Sequence, residues 1–232
     1  MKQFYAVLVN TLIANVTTSY LWYGLTFWLY LETKSVLATA LVGGTYMLLM
    51  ALCGLLFGTF VDKNYKKHVM VWSSVISSVA YVLAAVIYLV GDKSQLVVLS
   101  SPLLWLFAGI ILVGAVVENL RNIALATTVT ILVPKNQRDK ANGLIGSVTG
   151  VAFLVTSVLS GLSIGFLGMG GTLMIAVALT AIALLHLFTV KIPEPKIVHD
   201  PALAGKHFDI KGATKAISQI PGLWALLCFS VF

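Results

Sequence analysis

The chain has 232 residues, 59% of them hydrophobic and 10% charged, with a formal net charge of +7. Ordinary soluble domains are about 45–50% apolar and about 25% charged, so a soluble globular fold is excluded. Disorder is excluded too, because it needs low hydrophobicity and high charge. Cys53 and Cys228 both lie in apolar runs, which leaves no disulfide framework and no metal spacing. No Lys/Arg-rich run carries the repeated aromatics of a nucleic-acid groove, Tyr65 being a lone ring among Lys63, Lys66 and Lys67, so nucleic acid is not an expected partner. What remains is an all-α, polytopic membrane protein embedded in a lipid bilayer.

Apolar runs separated by polar breaks predict spans over 5–31, 36–61, 69–90, 103–133, 141–167 and 171–190. These six make one bundle over 1–190. A polar segment follows over 191–220, opened by Pro193, Pro195 and Pro201, which stop the sixth span. Within it Ile210, Ala213, Ile217 and Ile220 recur at helical spacing, with Lys211 and Lys215 on another face. That pattern predicts a short amphipathic helix lying along the inner membrane surface, with a solvated linker helix free of the membrane as the alternative. A last apolar run covers 221–232; its final eleven residues rise only about 17 Å, short of a hydrocarbon core of about 30 Å.

Basic residues set the direction. With the N-terminus inside, the inner segments hold Lys2, Lys63, Lys66, Lys67, Lys135, Arg138, Lys140, Lys191, Lys196, Lys206, Lys211 and Lys215. The outer loops hold Lys34 and Lys93 only. Such asymmetry places the N-terminus and the 191–220 segment in the cytoplasm.

Two spans carry polar groups that lipid would not tolerate. Span four contains Glu118 and Arg121, three residues apart on one helix face, with Asn122 beside them. Span one carries Asn15, Ser19, Tyr23, Thr26 and Tyr30 at steps of three and four, with Asn10 and Thr18 near that face. Facing stripes on the first and fourth helices predict a cavity between them, lined by Asn15, Ser19, Tyr23, Glu118, Arg121 and Asn122. A purely structural ion pair is the competing reading. The Gly-x-x-x-Gly pairs at 54/58, 146/150 and 161/165 predict close helix contacts. His68, His186, His199 and His207 show no metal or catalytic spacing, and no acid pair lies in a span. Catalytic residues, cofactors and metals are therefore not expected.

The run from Gly58 to Lys67 is the most specific segment. It resembles the signature loop of the major facilitator superfamily, G-x-x-x-D-(R/K)-x-G-(R/K)-(R/K), through Gly58, Asp62, Lys63, Lys66 and Lys67. Tyr65 stands where that pattern has Gly. The resemblance implies a gating role for this loop, chiefly for Asp62 and Lys66. The run from Leu132 to Leu144 is similar to the corresponding connection in bacterial facilitators of the macrolide-efflux-like type. Ser157 to Leu162 departs from the Gly-Pro-x-x-Gly-Gly of proton-coupled drug antiporters. Taken over 1–232, the resemblance implies an N-terminal six-helix half-bundle, cut in its seventh helix and lacking its C-terminal partner bundle. It implies alternating-access export of a hydrophobic or amphiphilic small molecule across a bacterial cytoplasmic membrane, with a proton as a candidate coupling ion. Uptake of a nutrient or metabolite is the alternative.

Overall fold

The computed structural model describes residues 2–194, together with Gln219 and Gly222. The chain divides into two units, Met1–Pro195 and Lys196–Phe232, and every helix described here belongs to the first. The amphipathic helix expected within 191–220 and the apolar run 221–232 lie almost wholly outside the described residues.

The elements are helical throughout. They are α1 (Lys2–Thr33), α2 (Val36–Lys63), α3 (Lys66–Val90), a one-turn α4 (Lys93–Leu96) and α5 (Pro102–Leu132). A 3-10 turn (Lys135–Gln137) then leads into α6 (Arg138–Thr189). Local chemistry accounts for most boundaries. The Ser35 hydroxyl accepts from the Ala38 amide at 3.1 Å and starts α2. Ser101 caps α5 in the same way, with Pro102 in the first turn. Asp92 caps α4, and hydrogen bonds from Ser94 hold its carboxyl below the usual range.

Five of these elements are long and apolar enough to cross a membrane. The last, 52 residues in all, would be about 78 Å long if straight. It is not straight. Gly168 has φ 66° and ψ −175°, a combination essentially reserved for glycine. The Ser163 hydroxyl lies 3.0 Å from that of Thr172, nine residues on, which a continuous helix would hold about 13 Å apart. So α6 folds back on itself into two limbs, 138–167 and 169–189. They correspond to the fifth and sixth spans expected from sequence.

α1 packs along both limbs of α6, and α3 packs on α5 and on α6. α2 sits outside, against α1 and α5, with Leu37, Leu41, Leu48 and Leu52 exposed. Two close approaches use glycine. A methyl at Gly24 would come within 2.9 Å of Thr172, and one at Gly114 within 2.6 Å of the Tyr81 ring. The Gly-x-x-x-Gly positions expected to make close contacts behave differently. Among the described residues, a methyl at Gly54, Gly58, Gly146, Gly150 or Gly165 would meet nothing within 4 Å. Gly161 alone of the six has a neighbour, the Phe27 ring at 3.7 Å.

The interior has three layers. One apolar cluster joins Leu21, Leu25, Trp28, Tyr81, Phe107, Ile111 and Leu173. A second, nearer the N-terminus, joins Phe4, Val7, Val69, Met70, Ala124, Val129 and Leu187. Between them the same stretch of α1, α3, α5 and α6 carries buried polar residues. These are Asn10 and Thr17 on α1, Ser73, Ser74 and Ser77 on α3, Glu118 and Arg121 on α5, and Thr180 on α6.

Candidate functional site

Arg121 is the hub of this polar layer. It is fully buried, and Glu118 beside it is 4% exposed. Arg121 Nε donates to Glu118 Oε1 at 2.5 Å. Nη1 donates to Asn10 Oδ1 on α1, and Nη2 to Ser74 Oγ on α3. A guanidinium offers five donors in a rigid fork, and three separate acceptors meet it here. Asn10 extends the network. Its Nδ2 donates to the Ala183 carbonyl at 2.7 Å and lies 3.1 Å from His186 Nδ1, both on the second limb of α6. Four helical segments are thereby joined at one depth.

A cavity of about 150 Å³ opens beside this hub. Asn15, Thr18 and Ser19 reach it from α1, and Tyr46 and Met50 from α2. Ala115, Glu118, Asn119 and Asn122 reach it from α5, and Thr149, Ala152 and Phe153 from α6. Eight of these twelve carry hydrogen-bonding side chains. Glu118 Oε2 is buried and has no hydrogen-bond partner. The Tyr46 ring stacks on Trp22 at 4.5 Å between centroids, which fixes one aromatic wall.

Four residues expected in a cavity, Asn15, Ser19, Glu118 and Asn122, line this one together. Two others do not. Arg121 lies behind the wall, because its three acceptors on α1, α3 and α5 hold the guanidinium in the helix interior. Tyr23 stops one helical turn short, packed edge-on against the Phe153 ring at 5.4 Å. The cavity also takes walls from α2 and α6, beyond the α1 and α5 surfaces the sequence pointed to. Tyr46, Thr149 and Phe153 carried no sequence signal, since isolated polar and aromatic residues are common in spans. Ser74 as a partner of Arg121 and His186 as a neighbour of Asn10 were likewise invisible. Among the described residues, no three His, Cys, Asp or Glu side chains converge as metal ligands.

The loop after α2 forms a second polar centre. Lys66 is buried, and its Nζ donates to the carbonyls of Val61 at 2.9 Å and Asn64 at 3.2 Å, closing the end of α2. Tyr65 gives α3 no side-chain cap. The Glu194 carboxylate takes that place, accepting from the amides of Lys66 at 2.5 Å and Lys67 at 2.8 Å. Lys67 Nζ in turn donates to the Val190 carbonyl at 2.6 Å, at the end of α6. Asp62 and Lys63 remain exposed, and a methyl at Gly58 would meet open space.

No curated protein and no solved structure matches the chain. The family comparison is positive: residues 7–232 match the sequence profile described as Major Facilitator Superfamily. With nearly the whole length matched and a six-limbed helical bundle in place, the chain belongs to the major facilitator superfamily of transporters.

Proposed function

We propose that the chain forms the six-helix half of a secondary transporter that works by alternating access and exports an amphiphilic small molecule across a bacterial cytoplasmic membrane. The observation that carries this reading is the cavity between the two apolar clusters. A lipid-facing helix bundle has no use for an open wall of eight hydrogen-bonding residues at that depth. Amphiphilic is preferred to purely hydrophobic for the same reason. Support for export comes from the resemblance of 132–144 to macrolide-efflux-like facilitators.

The second bundle would complete the cavity from the open side. The apolar exposed face of α2 and the uncontacted glycines of α2 and α6 suit close approach by its helices. Exposed Asp62 and Lys63 are the parts of the signature loop free to latch such a partner, because Lys66 and Lys67 are engaged within this bundle. The cytoplasmic N-terminus rests on the gathering of basic residues at one end.

Proteoliposomes containing the full-length protein test the reading. Outward-directed, gradient-dependent movement of amphiphiles such as macrolides is expected. Inward accumulation of a polar nutrient would instead favour uptake, the alternative that the same polar wall also accommodates.

A further inference from the structure

The wall of the cavity carries a charge balance that bears on what it binds. Glu118 is the only lining side chain among the described residues that carries a formal charge at neutral pH. Its charge is already matched, because Oε1 accepts from the fully buried Arg121 at 2.5 Å. Arg121's other acceptors, Asn10 and Ser74, are neutral. The ion pair therefore contributes no net charge, yet Oε2 remains a buried acceptor without a donor. A ligand cation placed there would leave two positive groups on one carboxylate in a low-dielectric site. An anion would meet the carboxylate directly. A hydroxyl or amide N–H satisfies the orphan oxygen and changes nothing in the charge balance.

We propose that the cavity recognises the neutral, hydroxyl-bearing portion of its ligand, with a hydroxyl or amide N–H donated to Glu118 Oε2. The side-chain amides of Asn15, Asn119 and Asn122 supply both donors and acceptors for neighbouring hydroxyls. Tyr46 and Phe153 supply an apolar face against which the carbon skeleton packs. The inference rests on the proposed function in taking this cavity as the substrate site. It adds the charge state and the polarity of the group that enters.

Three probes of one shape separate the possibilities: phenyl β-D-glucoside, its 2-amino-2-deoxy analogue as the ammonium form, and phenyl β-D-glucuronide. Equilibrium binding of each radiolabelled probe is measured on the full-length protein in lipid nanodiscs, with empty nanodiscs subtracted. The neutral glucoside is expected to bind about tenfold or more tightly than either charged probe, the scale of one hydrogen bond to a charged group.

Glu118→Gln sharpens the test. Arg121 can only donate, so the new amide must turn its oxygen to Arg121 and its NH2 to the cavity. The orphan acceptor becomes a donor. Glucoside binding should fall about tenfold, and the glucuronide should gain relative to it. A misfolded variant would lose all three probes without that exchange of preference. Asn15→Leu, which leaves the ion pair untouched, should also weaken the glucoside. Equal or tighter binding of a charged probe, or binding of none, overturns the inference. Selective glucoside binding with no transport in proteoliposomes would sustain it and overturn the transport reading instead.

Discussion

Arg121 on α5 donates to the Asn10 side-chain oxygen on α1, and this bond turns the Asn10 amide nitrogen toward His186 Nδ1 on α6. A guanidinium has no acceptor, so Asn10 must present its oxygen to Arg121 and its NH2 to the other side. That NH2 lies 3.1 Å from His186 Nδ1, which must then accept. An accepting Nδ1 leaves Nε2 as the ring nitrogen that carries the proton. Nitrogen-15 NMR of labelled histidine should show this tautomer. In Asn10→Asp both oxygens accept, so the ring should present a proton at Nδ1. An unchanged tautomer in that variant would contradict the arrangement.

Removing Arg121 should be far more damaging than removing an exposed cation. Arg121→Ala leaves Glu118 buried without its partner and frees Asn10 and Ser74, so a loss of about 3–5 kcal/mol is expected. Arg121→Lys should fall between, because one ammonium cannot reproduce the fork that meets acceptors on three helices. Exposed Lys140→Ala should change stability by no more than about 0.5 kcal/mol. Detergent-denaturation midpoints give the order directly.

Two turns should respond to substitution with opposite sign. Gly168→Ala forces a side chain into a region that only glycine occupies, at an expected loss of about 1–3 kcal/mol. Lys34, between α1 and α2, has φ 52°, a left-handed conformation that L-residues adopt at a cost of about 1 kcal/mol. Lys34→Gly should therefore stabilise by up to about 1 kcal/mol. Thermal unfolding of the two variants side by side tests the contrast; a stabilising Gly168→Ala would mean that α6 is not folded there.

Glu194 should protect the start of α3. Glu194→Ala removes the acceptor of the Lys66 and Lys67 amides, at an expected loss of about 1 kcal/mol. Hydrogen exchange at those two amides should speed up markedly, while exchange in the middle of α3 stays slow. Unchanged exchange at Lys66 and Lys67 would rule out the cap.

Sequence alone was sufficient for the membrane class, the number and order of the helical limbs, the break between 167 and 171, and the shared helix face of Glu118 and Arg121. Each follows from local chemistry: span length against bilayer thickness, breaks between apolar runs, and residues three apart on one helix. The signature loop was also legible as a string of charged residues, though not the capping of α3 by Glu194, 128 residues away.

Tertiary structure decided which helices surround the ion pair and which side chains face the cavity. In a membrane, lipid-facing and helix-facing positions are both apolar, so hydrophobic periodicity says little about which neighbour a face meets. Asn10 and Asn15 look alike in sequence; one ends fully buried against Arg121 and the other beside an open cavity. Only the packing of α1 against α5 and the refolded α6 separates an internal strut from a binding wall. That same packing leaves one oxygen of Glu118 held by Arg121 and the other free.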